Sequence, residues 1–276
     1  MITLEDISFS YRKGSEAVSG ASASLEPGIY LLAGENGAGK TTLMHLMAGL
    51  LKPASGRCLL DGPPVWPRRP DTQRRSFFLP DTMDVPLHDF ADMARLHGCF
   101  FPDFSRADMN EALAAFGLDE NMSIKRMSLG MRRKALAAYS LALHVPLLLL
   151  DEPANGLDIT ARKELRRLLA SMTGMEQTVI VSTHTVHDFE QLFDGLLLLS
   201  EGRLLLCRKA WEITARISFV AADRPLPDAL YQEPDGPMFR ALVKADDGVE
   251  TPIDYSLLYS AIMSPSRDKI LNLLNE

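Results

Sequence analysis

Cysteine is scarce in this 276-residue sequence, which contains three copies. Cys58, Cys99 and Cys207 are odd in number and lie far apart in the chain. A disulfide framework requires paired cysteines, usually in a small secreted domain. The cysteine content therefore argues against such a framework and suits reduced thiols in a cytosol.

Long hydrophobic runs are also absent. The longest apolar region, residues 135–150, is interrupted by Tyr139, Ser140, His144 and Pro146. Because a membrane-spanning helix needs about 20 consecutive apolar residues, we expect no segment to cross a bilayer by itself. The N-terminus also has no basic-then-apolar pattern of the kind found in secretory signals.

The sequence has no excess of basic charge, no internal repeat and no low-complexity tract. With 29 basic and 36 acidic residues, its formal net charge is −7. The basic runs at residues 68–69, 74–75 and 132–134 are local and scattered among acidic residues, so we interpret them as solvated surface. Proteins that bind the nucleic-acid backbone carry a basic face. The composition therefore predicts no nucleic-acid partner.

What the sequence does contain is a glycine-rich loop between a strand pattern and a helix pattern. Residues 34–42 read Gly-Glu-Asn-Gly-Ala-Gly-Lys-Thr-Thr, directly after the apolar run at residues 29–33. This is a P-loop in its expected context, and it predicts a nucleoside triphosphate as the ligand. The residues assigned to nucleotide binding are Gly34, Glu35, Asn36, Gly37, Ala38, Gly39, Lys40, Thr41 and Thr42.

Each residue type in the P-loop has a physical role. The glycines permit backbone conformations in which successive amides turn inward around phosphates. Lys40 supplies a positive charge for the β- and γ-phosphates, and Thr41 supplies a hydroxyl for Mg²⁺. The helix that follows adds the positive end of its dipole. The loop therefore predicts binding of a nucleotide together with Mg²⁺.

Two adjacent carboxylates follow another predicted strand. Residues 147–150 are all leucine and lead into Asp151 and Glu152. Such a run indicates a buried strand, and open α/β sheets place ligand sites at the carboxyl ends of their strands. Asp151 would then hold Mg²⁺, while Glu152 would polarise an attacking water. The alternative is a strand followed by an acidic helix cap, which Gly-Leu-Asp at residues 156–158 makes less attractive.

A serine between these two sites begins another predicted helix. Residues 127–131 read Met-Ser-Leu-Gly-Met, and the serine is a suitable N-cap. With the three sites in this order, about residues 1–208 resemble the ATP-binding subunit of an ATP-binding cassette (ABC) transporter. That family has Leu-Ser-Gly-Gly-Gln at this place. The resemblance implies that the segment binds a nucleotide held by an opposite cassette, through Ser128, Leu129, Gly130 and Met131.

The resemblance assigns roles to two further residues. His184 follows the strand pattern at residues 178–181 and matches a family histidine that touches the γ-phosphate. We predict that it is catalytic together with Glu152 and Lys40. His187 would offer a metal pair with His184, but no third ligand accompanies them. Tyr11 lies where the family places an aromatic ring that stacks on adenine.

One position departs from the family pattern. After the strand pattern at residues 77–79, the family has a glutamine that senses Mg²⁺ and the attacking water, whereas this sequence has Asp81. Aspartate offers an oxygen acceptor but no amide donor, and its reach is shorter. We predict Asp81 as a Mg²⁺ contact beside Thr41 and Asp151, although a Pro-Asp pair is also an ordinary turn.

The predicted fold class is α/β. It is a P-loop NTPase cassette of the ABC type, with an antiparallel β layer and a helical subdomain, followed by a small α+β extension. Residues 1–208 are assigned to the cassette, with the helical subdomain at about 81–145, and residues 209–276 to the C-terminal extension. A leucine-rich hairpin that turns at Glu201-Gly202 closes the predicted cassette.

The resemblance implies ATP binding and hydrolysis by the motor subunit of an ABC transporter, especially a bacterial one of the exporter type. Two cassettes, in a homodimer or heterodimer, would associate head to tail and drive a separate transmembrane permease subunit. The chain would then be cytoplasmic and peripheral on the inner face of the cell membrane. Two alternatives stay open, a soluble ABC ATPase without transport and a regulatory nucleotide-binding cassette. The second is considered because Asp81 replaces the family glutamine.

Overall fold

Strands and helices alternate through most of the chain, of which the computed structural model describes residues 1–12, 14–246 and 251–275. The strands are β1 (Ile2–Arg12), β2 (Ser15–Leu25), β3 (Gly28–Ala33), β4 (Ser55–Leu60), β5 (Ser76–Leu79), β6 (Leu147–Asp151), β7 (Thr178–Ser182), β8 (Gly195–Ser200), β9 (Arg203–Lys209), β10 (Ile217–Ala222), β11 (Tyr231–Asp235) and β12 (Met238–Lys244). The helices are α1 (Lys40–Met47), α2 (Pro70–Gln73), α3 (Phe90–Leu96), α4 (Arg106–Ala115), α5 (Leu129–Leu141), α6 (Ile159–Met172), α7 (Ala210–Thr214), α8 (Tyr255–Ile262) and α9 (Arg267–Asn275).

A six-stranded sheet, in the order β5-β6-β7-β3-β8-β9, forms the centre of the described part of the chain. Neighbouring strands from β5 to β8 are parallel, and β9 is antiparallel to β8. Every residue of β6 and β7 is buried, which explains their continuous apolar runs, because parallel strands are covered on both faces. The predicted strands at residues 147–150 and 178–181 and the hairpin at Glu201-Gly202 are confirmed.

This topology brings the carboxyl ends of three strands to one edge of the sheet. Strand β7 lies between β3 and β6, with Leu32 paired to Ser182 on one side and Asp151 paired to Ser182 on the other. The P-loop follows β3, Glu152 follows β6 and His184 follows β7. The register therefore delivers the main sequence-predicted groups to one place.

A three-stranded antiparallel layer, in the order β2-β1-β4, lies beside this sheet. The imperfect alternation of Ile2, Leu4, Ile7 and Phe9 predicts an edge strand. Strand β1 is instead the central strand of this layer. The physical reason is that β-bulges between Leu4 and Ile7 and between Ile7 and Phe9 disturb the alternation. The buried side chains of β1 share an apolar core with α1 and the sheet.

The turn between β8 and β9 joins the antiparallel layer to the P-loop. The N–H of Gly202 donates to the carbonyl oxygen of Ala38 at 3.0 Å, and the N–H of Ser19 donates to the carbonyl oxygen of Gly202 at 2.8 Å. One residue of the turn thus bridges β2 and the loop that follows β3.

The chain between β5 and β6 is largely helical. Apolar residues at helical spacing after Ser105 predict that a helix begins there. Helix α4 does begin after Ser105, whose Oγ accepts a hydrogen bond from the N–H of Asp108 at 3.1 Å. Helices α3, α4 and α5 contribute buried side chains, including Phe90 and Tyr139, to one apolar core. Within the described ranges, no helix combines the length and apolar character needed to cross a membrane. The boundaries of a helical subdomain at about 81–145 stay a prediction.

The residues after β9 form a second antiparallel sheet, in the order β10-β12-β11, together with α8 and α9. The sequence predicts two strands here, from the β-like runs at residues 217–220 and 239–243, and a helix around Leu257. Strands β10 and β12 and helix α8 confirm these predictions. The hydroxyl of Tyr255 on α8 donates to the carbonyl oxygen of Phe193 at 3.0 Å, and the two rings meet edge to face. Buried side chains of α8 share an apolar core with β8. The division at residue 209 into cassette and extension stays a prediction.

Candidate active site

The P-loop takes its shape from glycines at positions where a side chain has no room. Gly34 and Gly39 have φ angles of 156° and 101°. A Cβ at Gly34 would come 2.3 Å from the carbonyl oxygen of Leu199, and one at Gly39 would come 2.3 Å from that of Ala17. Because both obstacles are backbone atoms, only glycine fits. The loop therefore lies tightly against the neighbouring strand β8 and the antiparallel layer.

Lys40 directs its charge into this loop. Its Nζ donates to the carbonyl oxygens of Gly34 at 2.7 Å and Glu35 at 3.0 Å. Burial lowers the pKa of the Lys40 ammonium, and the nearby charges of Glu152 and Asp151 act in the opposite direction. The lysine is thus held where the loop curves, as the binding of nucleotide phosphates requires.

Asp151 is held beside the P-loop helix and is 7% exposed. The hydroxyl of Thr41 donates to Asp151 Oδ2 at 2.8 Å, and the hydroxyl of Ser182 donates to Oδ1 through a short hydrogen bond. A carboxylate and a hydroxyl are hard oxygen ligands of the kind that Mg²⁺ prefers. Among the described residues, no group of three or more His, Cys, Asp and Glu side chains could hold a metal. The donor set fits an ion that takes its remaining ligands from phosphates and water.

Glu152 and His184 face each other at the ends of β6 and β7. His184 Nε2 lies 3.0 Å from Glu152 Oε1, and the backbone N–H of His184 donates to Glu152 Oε2 at 3.2 Å. Burial raises the pKa of the Glu152 carboxyl, and His184 partly opposes this effect. A carboxylate with a raised pKa beside a strand end suits a general base. The structure thus brings together these two sequence-predicted residues.

Tyr11 lies at the end of β1 with 63% of its surface exposed. Its hydroxyl is 3.3 Å from Thr42 Oγ1 in the P-loop helix, and its ring meets Phe9 edge to face with the centroids 4.9 Å apart. An exposed aromatic face next to the P-loop is available for stacking on a base. Its role as an adenine platform stays a prediction.

Ser128 caps helix α5 as predicted. Its Oγ accepts a hydrogen bond from the N–H of Met131 at 3.2 Å, and the adjacent Leu129 is 58% exposed. Within the described ranges, no hydrogen bond joins Ser128 to the P-loop or to Asp151. The helix start at Ser128 and Leu129 is exposed, and the role of residues 128–131 toward an opposite cassette stays a prediction.

Asp81 belongs to an ion-pair network that local sequence patterns did not indicate. Its Oδ1 accepts hydrogen bonds from Arg133 Nη2 and from Asn155 Nδ2, both at 3.0 Å. The interpretation of residues 132–134 as solvated is wrong for Arg133, whose side chain is 13% exposed. The neighbouring Lys134 forms an ion pair, with its Nζ 3.3 Å from Asp158 Oδ2. The predicted contact between Asp81 and Mg²⁺ stays a prediction.

Two arginines of α6 also bind the chain that follows His184. The sequence pattern predicts that the basic residues Arg162, Lys163, Arg166 and Arg167 point toward solvent. Lys163 and Arg167 are exposed as predicted, but Arg162 and Arg166 are not fully exposed. Instead, Arg162 donates to the carbonyl oxygen of Leu157 and to Asp188 Oδ2, and Arg166 donates to the carbonyl oxygen of Asp188. The helical spacing of the apolar residues of α6 places both arginines on the polar side of the helix. The loop after β7 contacts them on that side.

Comparison with known proteins identifies the family. Residues 18–155 match the family model described as ABC transporter. The bacitracin transport ATP-binding protein BcrA of Bacillus licheniformis is 33% identical over 64% of this chain and 59% of its own length. The Nod factor export ATP-binding protein I of Cupriavidus metallidurans is 33% identical over 68% of this chain and 65% of its own length. The chain thus spans less than two thirds of the length of both relatives.

A solved structure shows the same fold at lower sequence identity. It is the dimeric post-hydrolysis state of an ATP-binding cassette, bound to ADP and Pi. The two structures superpose with a TM-score of 0.63 at 20% identity, over 76% of this chain and 98% of the other. The α/β fold class with its P-loop is therefore confirmed.

Proposed function

Because this chain belongs to the ABC transporter family, we propose that it binds and hydrolyses ATP as the motor subunit of an ABC transporter. The observation that carries this proposal is the meeting of Lys40, Asp151, Glu152 and His184 at one edge of the sheet, where Thr41 donates to Asp151 at 2.8 Å and His184 lies 3.0 Å from Glu152. Phosphoryl transfer to water needs mainly positioning and charge stabilisation, and these groups supply both.

Each group has a defined task in the proposed reaction. The P-loop amides and the Lys40 ammonium bind the phosphates. Thr41 and Asp151 would hold Mg²⁺, which supplies positive charge for the phosphate oxygens when it is bound. Glu152 accepts a proton from the attacking water, and His184 orients the Glu152 carboxylate.

A platform for the adenine base and a contact from a second cassette complete the proposed site. Tyr11 presents its exposed face to adenine, a contact of about 1–3 kcal/mol by analogy with other nucleobase platforms. The exposed start of α5 at Ser128 meets the γ-phosphate held by an opposite cassette, through the positive end of its dipole. Two copies, or this chain and a homologous subunit, would enclose two nucleotides between them.

The proposed partner is a separate transmembrane permease subunit. BcrA is named for bacitracin transport and the Nod factor protein for export, and both are described as ATP-binding proteins. By this similarity the chain would be peripheral on the inner face of the cell membrane and would power export. The family assignment favours this function over an ABC ATPase without transport.

The variant Glu152→Gln tests the proposed chemistry. The amide cannot accept the proton of water, so turnover should fall by roughly 10²- to 10⁴-fold, the usual contribution of a general base, while ATP binding persists. Hydrolysis is measured by phosphate release and binding by calorimetry. Glu120→Gln is the matched control, because Glu120 is paired with Arg106 at 2.8 Å, outside the site. Near-normal hydrolysis by Glu152→Gln would remove Glu152 from the role of base.

A further inference from the structure

The backbone of Glu152 is held in an unfavourable conformation. Its φ angle of 51° lies in the left-handed region, which residues with a Cβ rarely adopt. On one side, the N–H of Glu152 donates to the carbonyl oxygen and to the Oγ of Ser182, at 3.0 and 3.1 Å. On the other side, the carbonyl oxygen of Glu152 accepts a hydrogen bond from the N–H of Asn155 at 3.0 Å. The position of Glu152 therefore depends on Asn155, which closes the turn after β6.

Asn155 is fixed by two side chains from distant parts of the sequence. Its Nδ2 donates to Asp81 Oδ1 at 3.0 Å, and its carbonyl oxygen accepts a hydrogen bond from Arg133 Nη1 at 2.6 Å. Arg133 Nη2 closes the triangle by donating to Asp81 Oδ1 at 3.0 Å. We call Asp81, Arg133 and Asn155 the Asp81 clamp. It joins the segment after β5, helix α5 and the turn after β6.

The clamp differs from an ordinary surface ion pair in its packing. The Arg133 side chain is 13% exposed. A Cβ at Gly156, where φ is 70°, would come 2.5 Å from Arg133 Nη1, so the guanidinium lies directly against the backbone of the turn. Asp81, Arg133 and Glu152 also line one cavity of about 150 Å³. Two members of the clamp thus border a cavity that Glu152 also lines.

These contacts explain an aspartate at position 81. A single carboxylate oxygen accepts both donors and carries the charge that pairs with Arg133. We propose that Asp81 and Arg133 are positioning residues for Glu152, which they hold through Asn155, and that Asp81 acts in this way instead of as a Mg²⁺ ligand. The inference rests on the proposed hydrolysis of ATP with Glu152 as the base.

The clamp also reaches the helix that begins at Ser128. Arg133 lies on α5, five residues after that helix cap. A shift of α5 would therefore move the guanidinium against the turn that carries Asn155. In this way the start of α5 and the catalytic carboxylate are mechanically connected within one chain.

The test compares Asp81→Ala, Arg133→Gln and the double variant. We expect each to lower kcat by about tenfold or more, because misplacement of a catalytic group by about 1 Å can cost ~10²-fold. The KM for ATP and the Mg²⁺ concentration at half-maximal rate should stay unchanged, and the double variant should be no worse than either single one. Amide hydrogen exchange of residues 154–158, measured without nucleotide, should become faster in all three.

The control is Arg106→Gln, which breaks a two-bond ion pair with Glu120 on the surface at α4. It should change neither kcat nor exchange at residues 154–158. If Asp81→Ala fails to fold, Asp81→Leu has a similar branched shape and removes both acceptor oxygens and the charge, and the same results are expected from it.

Two results would overturn the inference. One is a higher Mg²⁺ requirement in Asp81→Ala with normal kcat in Arg133→Gln, which would make Asp81 a metal ligand. The other is unchanged kcat and unchanged exchange in both variants. The proposed function fails separately, through normal turnover in Glu152→Gln, and in that case the exchange measurement still reports on the clamp.

Discussion

At the scale of single residues, the P-loop glycines are not equivalent. Gly37 and Gly39 both have positive φ angles, 83° and 101°. A Cβ at Gly37 would meet nothing within 4 Å, whereas one at Gly39 would come 2.3 Å from the carbonyl oxygen of Ala17. Gly37 is therefore required for backbone conformation alone, and Gly39 for conformation and space.

Alanine substitutions should separate these two requirements. Gly37→Ala should lower the free energy of unfolding by about 1–2 kcal/mol, the cost of the left-handed conformation for a residue with a Cβ. Gly39→Ala should lower it by clearly more, because β2 and the loop must also move apart. Denaturant unfolding without nucleotide measures both values. Equal losses would show that the contact with Ala17 is relaxed at little cost.

The residues of the site differ in how far the sequence could predict them. Local order alone predicted Lys40 and Thr41, from the P-loop between a strand pattern and a helix pattern, and Asp151 and Glu152, from the leucine run directly before them. The partners of Asp81 could not be found in this way, because Arg133 and Asn155 are 52 and 74 residues away. A run of basic residues gives the same local pattern whether it faces water or a carboxylate.

At the scale of elements, α8 is attached to the loop between β7 and β8. The hydroxyl of Tyr255 donates to the carbonyl oxygen of Phe193 in a buried position, whereas that of Tyr231 donates to Glu233 Oε2 in a partly exposed one. A buried carbonyl that loses its donor is costly, because water cannot replace it. The two tyrosines thus offer a matched comparison.

Tyr255→Phe should destabilise the protein by about 1–3 kcal/mol, the cost of one unsatisfied buried group. Tyr231→Phe should have a much smaller effect, because its partner stays accessible to water. Thermal and denaturant unfolding of both variants measure the difference. An effect of Tyr255→Phe no larger than that of Tyr231→Phe would mean that α8 is held by apolar contacts alone.

Elements were easier to predict than their arrangement. The leucine run of β6 and the N-caps at Ser105 and Ser128 fix local structure through short-range physics, and all three are confirmed. The central place of β1 could not be predicted, because its bulges disturb the alternation and strand order depends on long-range pairing. The predicted exposure of Arg162 on α6 is wrong for a similar reason, because its partner Asp188 lies in the loop after β7.

At the scale of the whole molecule, the exposed start of α5 is the surface through which the proposed cassette dimer forms. A bulky cation at Ser128 should block the approach of a second cassette without touching the P-loop. In the background of Glu152→Gln, which should accumulate an ATP-dependent dimer, Ser128→Arg should therefore abolish the dimer and keep ATP binding. Size-exclusion chromatography with ATP reports the first property and calorimetry the second.

The matched control for this experiment is Ser171→Arg, which adds the same side chain at an exposed position near the end of α6. It should leave the dimer intact. A dimer that persists in Ser128→Arg would show that the two copies meet through another surface.

The backbone of Gly202 connects two parts of the proposed nucleotide site, the P-loop and the antiparallel layer that carries Tyr11. Its N–H is bonded to Ala38 in the loop that would hold the phosphates, and its carbonyl oxygen is bonded to Ser19 of β2, the partner of the strand that carries Tyr11. In the proposed site, these backbone hydrogen bonds would limit how far the loop for the phosphates can move from the strand pair that carries Tyr11. A nucleotide one phosphate too short would occupy the platform and still leave its last phosphorus out of reach of Glu152. In the proposed site, the hairpin turn would therefore favour nucleotides that carry the full number of phosphates.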